Sequence, residues 1–218
     1  MSSHFIMDLL KKISKQAVIP VISLDVPNLI IPLLSIYEEF GIKCIEVTFR
    51  NKNTQKILEI LHQNYSDFCY GVGTVRTMEH VNTAMKFKSK FIVTPGLNTN
   101  ITKNILESGY KHYYPGIDST LGIEEAQKFN LSTLKFFPAS VAGGPSFLKA
   151  MQGPYSDIRF IPTGGISLDN LDEYLSLNNV LAVGGSFLAP KKLIKTNNWD
   201  KIREICMNTQ SKIKDIRD

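Results

Sequence analysis

Eight short runs of apolar and β-branched residues recur along the chain, with centres about 21 to 26 residues apart. Runs of this length and composition are typical of β-strands, and the spacing leaves room for a helix between each pair. The first four runs are AVIPVIS at 17–23, KCIEVTF at 43–49, FCYGVGT at 68–74 and KFIVTPG at 90–96. The last four are HYYPGI at 112–117, TLKFFPA at 133–139, IRFIPTGG at 158–165 and VLAVGGS at 180–186.

The segments between these runs have the pattern of helices. One of them places apolar residues at helical spacing and then a glycine that ends the helix: Leu29, Leu33, Ile36, Phe40 and Gly41. Eight such units predict an α/β fold with a single parallel (β/α)8 TIM barrel, whose active site lies at the carboxyl ends of the strands. The alternative is a doubly wound open sheet, which eight even units fit less well.

The repeat extends over residues 1–218 without a linker, so we expect one domain. MSSHFIMDLLKKISKQ at 1–16 predicts an additional amphipathic N-terminal helix. The apolar fraction of 43% is ordinary for a globular protein, and the net charge of +5 comes without an arginine cluster. We therefore expect an anionic small-molecule substrate and no nucleic-acid partner.

The chain has neither the pattern of a signal peptide nor an apolar run long enough to span a membrane. Its three cysteines, Cys44, Cys69 and Cys206, are widely spaced and form no C-x-x-C pair. This pattern indicates neither a disulfide framework nor a zinc site. We therefore expect no metal, no membrane partner and a cytoplasmic protein with reduced thiols.

A lysine interrupts the sixth run, LKFFPA, although a buried ammonium costs several kcal/mol unless it is paired. Because strand side chains alternate between faces, Lys135 and Phe137 share one face. In IEVTFR the same alternation places Glu46, Thr48 and Arg50 together, opposite the apolar residues. We therefore expect Lys135 and Glu46 to lie in one enclosed interior.

Two other interpretations of Lys135 are open from the residues alone. The side chain could extend past the end of the strand into water, or it could form a purely structural ion pair with Glu46. Buried ionisable groups at the strand ends of this fold are more often catalytic. Desolvation and a nearby cation such as Arg50 favour the neutral amine, which predicts a lysine that forms a Schiff base.

The last two strands end in paired glycines, in PTGGIS at 162–167 and VGGS at 183–186. Glycines allow close approach of a ligand to backbone amides, and phosphate often binds after strands seven and eight of this fold. A Gly-Gly pair alone more often makes only a turn. The two pairs together, at these two strand ends, predict a phosphate site.

The sequence resembles the family of 2-keto-3-deoxy-6-phosphogluconate (KDPG) aldolase, which includes 4-hydroxy-2-oxoglutarate (KHG) aldolase activity. The motifs VIPVI, IEVTFR, GVGTV, TPGL, PGI, KFFPA, GGP, GPY, PTGGIS and VGGS occur in the family's order from about residue 5 to 205. The resemblance implies a class I aldolase, a lyase that acts on a phosphorylated keto acid. It also implies a homotrimer that works without a metal or other cofactor.

The resemblance assigns roles residue by residue. Lys135 matches the Schiff-base lysine and Glu46 the general acid/base. Arg50 and Thr74 match positions that contact the substrate carboxylate, and Pro95 and Phe137 match pocket walls. The positions on the phosphate side are Thr163, Gly164, Gly165, Gly184, Gly185 and Ser186.

Two residues depart from the family pattern: Ser140, where glutamate is often found, and Asn51, where threonine is common. The implied reaction is cleavage of KDPG to pyruvate and glyceraldehyde 3-phosphate, with cleavage of KHG to pyruvate and glyoxylate as a second activity. The alternatives are a 2-keto-3-deoxy-6-phosphogalactonate aldolase, which differs in C4 stereochemistry, and a non-catalytic barrel that binds phosphosugars.

Overall fold

The computed structural model describes residues 3–66 and 68–217, in which strands and helices alternate as the repeat predicts. The strands are β1 Val18–Ile22, β2 Cys44–Thr48, β3 Cys69–Gly73, β4 Ile92–Val93, β5 Tyr113–Tyr114, β6 Gly116–Ile117, β7 Thr133–Phe136, β8 Arg159–Pro162 and β9 Val183–Gly185. The helices are α1 Ser3–Gln16, α2 Ile30–Glu39, α3 Thr54–Asn64, α4 Met78–Lys86, α5 Thr99–Glu107, α6 Thr120–Gln127, α7 Gly144–Met151, α8 Leu171–Leu175, α9 Lys191–Lys195 and α10 Trp199–Arg217. None of these helices is long and apolar enough to cross a membrane.

The predicted N-terminal helix is confirmed as α1, although Met1 and Ser2 of the predicted segment lie outside the described residues. The predicted helix stop at Gly41 is also confirmed. Helix α2 ends at Glu39, and Gly41 has a φ of +70°, a conformation that glycine adopts without steric cost.

The paired strands of the described chain run parallel and form a curled sheet in two parts. Six strands lie in the order β5-β4-β3-β2-β1-β9, and three lie in the order β6-β7-β8. Isolated bridges join Phe160 to Val180 and Thr163 to Gly184, between the β8 and β9 regions. The fold is therefore α/β with a curled parallel sheet, and an open doubly wound sheet does not describe it.

The fifth predicted strand, at 112–117, is divided into β5 and β6 by Pro115, which has no N–H to donate to a strand ladder. β5 pairs with β4, and β6 pairs with β7. The Pro115 carbonyl accepts a hydrogen bond of 2.9 Å from the Lys135 N–H. This divided run therefore connects the two parts of the sheet and fixes the backbone at Lys135.

The two faces of the strands bury different sets of residues, as strand alternation predicts. Ile45 and Val47 of β2 and Leu134 and Phe136 of β7 belong to a large apolar core between the sheet and the helices. A smaller apolar cluster fills the other face: Leu9, Ile13, Ile19, Cys44, Phe91, Val93, Tyr114, Ile161 and Ala182. Its members come from α1 and from both parts of the sheet, so this second face is the enclosed inner face of the curl.

The Gln16 side chain ties the end of α1 to β1 and β2. Its Nε2 donates to the carbonyls of Val18 and Cys44 at 2.8 and 2.7 Å, and its Oε1 accepts from the N–H groups of Lys43 and Cys44 at 2.8 Å each. One amide therefore satisfies four backbone groups at the amino-terminal end of the sheet, where a lost partner leaves polar groups unpaired.

We expect Gln16→Ala to lower the free energy of unfolding by about 2 kcal/mol, because several half-buried backbone groups lose their partner. Urea denaturation followed by circular dichroism measures the change. Gln55→Ala, at an exposed position of α3, is the matched control and should change stability by less than about 0.5 kcal/mol. Equal effects of the two substitutions would contradict the role of Gln16.

Candidate active site

Lys135 and Glu46 meet on the inner face of the sheet, as the sequence predicts. Lys135 Nζ lies 3.6 Å from Glu46 Oε1, and the two side chains are only 3% and 5% exposed. Lys135 therefore does not extend into water. The distance fits an ion pair but exceeds a good hydrogen bond, so neither group is locked to the other.

The Glu46 carboxylate lies directly over Gly73 of β3. A Cβ atom at residue 73 would stand 1.8 Å from Glu46 Oε1, so no other residue type fits unless the carboxylate moves. Glu46 Oε1 is buried and accepts no hydrogen bond within the described chain. A buried oxygen without a donor is costly, and such atoms often await a substrate or water.

Sequence analysis did not single out Gly73 as a functional position. The sequence nevertheless contains an indication of its role. Gly71 and Gly73 lie two residues apart on the face of β3 that adjoins Glu46, and a glycine inside a strand often marks the close approach of another group. At Gly71 the approaching group is the Phe91 ring, which lies 2.3 Å from the site a Cβ would occupy.

Phe137 and Pro95 stand at one side of the lysine, at the carboxyl ends of the strands. The Phe137 ring centroid lies 5.0 Å from Lys135 Nζ, within the range of a cation–π contact. Both residues line a cavity of ≈ 390 Å³ that also includes Gly116, Ile117 and Asp118. The predicted pocket walls therefore lie together beside Lys135.

Arg50 lines a second cavity, of ≈ 330 Å³, together with Thr48, Ser186, Lys191 and Ser23. Arg50 is exposed and forms no ion pair within the described chain. The linings of the two cavities do not include Lys135 or Glu46, whose side chains are almost fully buried.

Sequence analysis missed Lys191 and Ser23 as members of this second cavity. Lys191 is exposed at the start of α9, and the buried Ser23 Oγ makes no hydrogen bond within the described residues. Neither lies in a motif that marks a ligand. Only the loops after β1 and β9 bring them beside Arg50.

Thr74 holds a strained backbone at the end of β3. Its φ is +57°, an uncommon value for a β-branched residue. Helix α4, which follows this loop, carries His80, whose ring stacks on Phe49 at 4.2 Å between centroids. Burial lowers the pKa of His80, so this stacked ring favours its neutral form. Strain of this kind is frequent at functional sites.

Gly164 and Gly165 form the turn after β8, with φ of +100° and +75°. The Gly165 and Ile166 N–H groups donate no hydrogen bond to another described backbone group, so two amides are available to an anion. Thr163, by contrast, is buried, and its Oγ1 stands 2.3 Å from the site that a Cβ on Gly184 would occupy.

The predicted strand run at 180–186 contains β9, in which Gly184 and Gly185 pair with Ile19 and Pro20 of β1. Ser186 is the first residue after the strand, and it is exposed and lines the Arg50 cavity. The predicted run ends at Ser186 and β9 ends at Gly185, so the two glycines lie at the carboxyl end of the last strand, as the sequence predicts.

The two departures from the family pattern both lie in site loops. Asn51 Nδ2 donates to Asp25 Oδ1 at 2.5 Å and links the loops after β1 and β2. Ser140 packs on the glycine turn, and a Cβ on Gly165 would lie 1.9 Å from Ser140 Oγ. The Ser140 N–H also donates to the Gly164 carbonyl at 3.1 Å. Both residues position loops and leave Lys135 and Glu46 unaltered.

The described residues contain no group of three or more His, Cys, Asp or Glu side chains placed to hold a metal ion. The buried charged groups of this site are instead an amine and a carboxylate, those of Lys135 and Glu46. Such a pair can form a covalent bond to a carbonyl and move protons beside it.

Comparison with known proteins agrees with this chemistry. The family model described as KDPG and KHG aldolase matches residues 9–205. The 2-dehydro-3-deoxy-phosphogluconate aldolase of Haemophilus influenzae is 38% identical over 92% of this chain and 94% of its own length. The enzyme of the same name from Treponema pallidum is 37% identical over 88% of this chain and 91% of its own length.

A solved structure is similar throughout. KDPG aldolase from Legionella pneumophila, crystallised with pyruvate captured as a covalent carbinolamine intermediate, superposes with a TM-score of 0.87. It is 34% identical, and the match covers 92% of this chain and 97% of that one. A match of this extent, in sequence and in fold, shows that the chain belongs to the KDPG and KHG aldolase family.

Proposed function

We propose that this chain is a class I aldolase that cleaves KDPG to pyruvate and glyceraldehyde 3-phosphate, and KHG to pyruvate and glyoxylate. The observation that carries the proposal is the buried pair of Lys135 and Glu46, whose charged atoms lie 3.6 Å apart. The relatives named above bear the name of this activity, and the Legionella enzyme holds pyruvate covalently.

The reaction begins with Lys135 as a nucleophile. In the first step Nζ gives one proton to the Glu46 carboxylate, 3.6 Å away, which leaves a neutral amine. The amine attacks the C2 ketone to form a carbinolamine, and Glu46, directly or through water, moves the protons that allow loss of water. The product is an imine, which withdraws electrons from C3.

Carbon–carbon cleavage follows from the imine. Glu46 removes the proton of the C4 hydroxyl, the C3–C4 bond breaks, and its electron pair passes into the imine to give an enamine. The aldehyde leaves, the enamine is protonated at C3, and water releases pyruvate and the free Lys135 amine. Glu46 Oε1 suits this role, because it is buried and accepts no hydrogen bond within the described residues.

The remaining site residues hold the two ends of the substrate. Arg50 and Thr74 bind the carboxylate, since Arg50 is an exposed guanidinium that forms no ion pair with the described residues and lines a cavity. Pro95 and Phe137 form the wall next to the reacting carbons. The phosphate lies near the β8 and β9 ends, between the free amides after Gly164 and the Ser186 hydroxyl.

We expect Ser186→Ala to raise the KM for KDPG about tenfold, because a hydroxyl that donates to a charged phosphate contributes about 1.5 kcal/mol or more. Cleavage of KHG, which has no phosphate, should change little. Steady-state kinetics with both substrates measures the difference. Ser176→Ala, on an exposed turn after α8, is the control, and equal losses for both substrates would contradict phosphate binding by Ser186.

The proposal also covers the architecture. The bridges at Phe160 and Thr163, together with the Pro115 connection, support a closed (β/α)8 TIM barrel formed by one domain, residues 1–218. The family match over residues 9–205 supports the single domain. We further propose a cytoplasmic homotrimer. Light scattering on the purified protein tests the trimer, and a monomeric mass would contradict it.

A panel assay tests the function itself. Pyruvate release is measured with KDPG, with its galactonate epimer at C4, and with KHG. Fastest turnover of KDPG supports the proposal, whereas preference for the epimer indicates the galactonate enzyme. Absence of pyruvate from all three would indicate the non-catalytic alternative, against which the burial of both Lys135 and Glu46 argues.

A further inference from the structure

Two cysteines that lie 25 residues apart in sequence meet on neighbouring strands. Cys44 begins β2 and Cys69 begins β3, and the two residues are direct register partners. Their sulfur atoms are 3.0 Å apart. Neighbouring strands lie about 4.8 Å apart, which falls within the range of Cα separations that disulfides span. The two sulfur atoms therefore need to approach by only about 1 Å to reach the length of a disulfide bond.

The surroundings of the two thiols differ. Cys44 is buried in the inner cluster, and burial raises its pKa well above the ordinary value. Cys69 is half-buried. A hydrogen bond from Cys44 lowers the pKa of Cys69, and the positive charges of Lys12 and Lys90 lower it further. The burial of Cys69 and the negative charge of Asp8 raise this pKa, but they do not cancel the decrease. One thiol is therefore accessible and acidic, and the other is shielded.

We propose that Cys44 and Cys69 are a reversible oxidation site, at which a peroxide converts the two thiols into an intramolecular disulfide. The Cys69 thiolate attacks the peroxide oxygen, which forms a sulfenic acid at Cys69 and releases hydroxide. The Cys44 sulfur then attacks the Cys69 sulfur, and the hydroxyl group of the sulfenic acid leaves as water with the proton of the Cys44 thiol. Overall, two thiols and one hydrogen peroxide give one disulfide and two waters.

The two cysteines lie within strands of the sheet and not among the residues assigned to the substrate. Cys44 lies two residues before Glu46 on the same face of β2, and Cys69 lies two residues before Gly71 on β3. The bond would join these two strands at the amino-terminal end of the sheet, beneath α1. Its formation requires neither aldolase activity nor any residue that binds substrate.

The test oxidises the folded full-length chain with hydrogen peroxide, blocks remaining thiols with an alkylating agent, and identifies linked peptides by mass spectrometry. We expect one product, the Cys44–Cys69 crosslink, which dithiothreitol reverses. Cys206 is the internal control. It is buried on α10, burial raises its pKa to about 12, and it should react at least about tenfold more slowly than Cys69.

Two variants separate the proposal from a fixed contact between two reduced thiols. Cys44→Ser should stop the reaction at a Cys69 sulfenic acid, which dimedone traps, and Cys206→Ser should leave crosslinking unchanged. A crosslink that forms only in denaturant, or one that joins Cys206, would overturn the proposal, as would permanently reduced thiols. Because the readout is a mass, a failed oxidation and a failed aldolase assay are independent results.

Discussion

Replacement of Lys135 by methionine is expected to reduce pyruvate release by about 10⁴-fold or more, because Lys135 is the only buried lysine among the described residues and its amine forms the imine. Methionine fills a similar volume but leaves Glu46 buried beside an apolar side chain, which destabilises the fold. Lys135→Arg is therefore the second variant. Arginine keeps a positive charge near Glu46, yet its guanidinium stays protonated and does not attack a ketone.

Trapping provides a direct readout of the same prediction. Borohydride added with pyruvate should reduce the imine and leave a stable adduct on Lys135, which peptide mass spectrometry locates. Lys128 is the comparison, because it is exposed and paired with Glu125 at 2.5 Å. An adduct on Lys128 or another exposed lysine, an unlabelled protein, or a folded Lys135→Arg enzyme with wild-type turnover would refute the assignment.

The alternation of strand side chains explains why the centre of the site was predictable. The residues next to Lys135 and Glu46 in sequence, among them Leu134, Phe136 and Ile45, are apolar and pack in the core on one face of the sheet. Because side chains alternate along a strand, Lys135 and Glu46 must lie on the opposite face. That argument needs only local sequence. It requires no knowledge of which strands are neighbours.

Relations between strands were not predictable in the same way. The register that sets Cys44 opposite Cys69, and Gly73 beside Glu46, depends on ladder pairing between segments about 25 residues apart. Nothing in either segment specifies that offset by itself, because register is set by packing of the whole face. Sequence analysis accordingly treated the cysteines as separate thiols and did not identify Gly73.

Loop conformations were also not predictable from the sequence. The strained φ of Thr74 and the placement of Lys191 beside Arg50 arise from turns whose conformation depends on tertiary contacts. The split at Pro115 has a local cause, since proline cannot donate to a ladder. The alternating pattern of 112–117 nevertheless conceals that break, because its side chains still face the two cores in turn.

Glu46→Gln is expected to lower kcat by about 10²-fold or more while KM changes little, because the amide cannot accept the C4 hydroxyl proton. Glutamine is nearly isosteric and occupies the same space over Gly73, so the strands should pack as before. Circular dichroism and a thermal melt establish that the variant folds. Glu125→Gln is the matched control, since Glu125 lines the neighbouring cavity but is far more exposed.

Two further measurements separate a proton-transfer role for Glu46 from a structural one. Exchange of the pyruvate methyl protons in D₂O reports formation and reprotonation of the enamine, and it should slow together with cleavage if one carboxylate moves protons in both steps. Borohydride trapping on Lys135 should still reach completion in Glu46→Gln, only more slowly, because the nucleophile is intact. A structural ion pair predicts the opposite pattern, in which an uncompensated buried ammonium destabilises the fold and impairs trapping as much as turnover. Wild-type exchange in a folded Glu46→Gln protein would assign the proton transfer to another group.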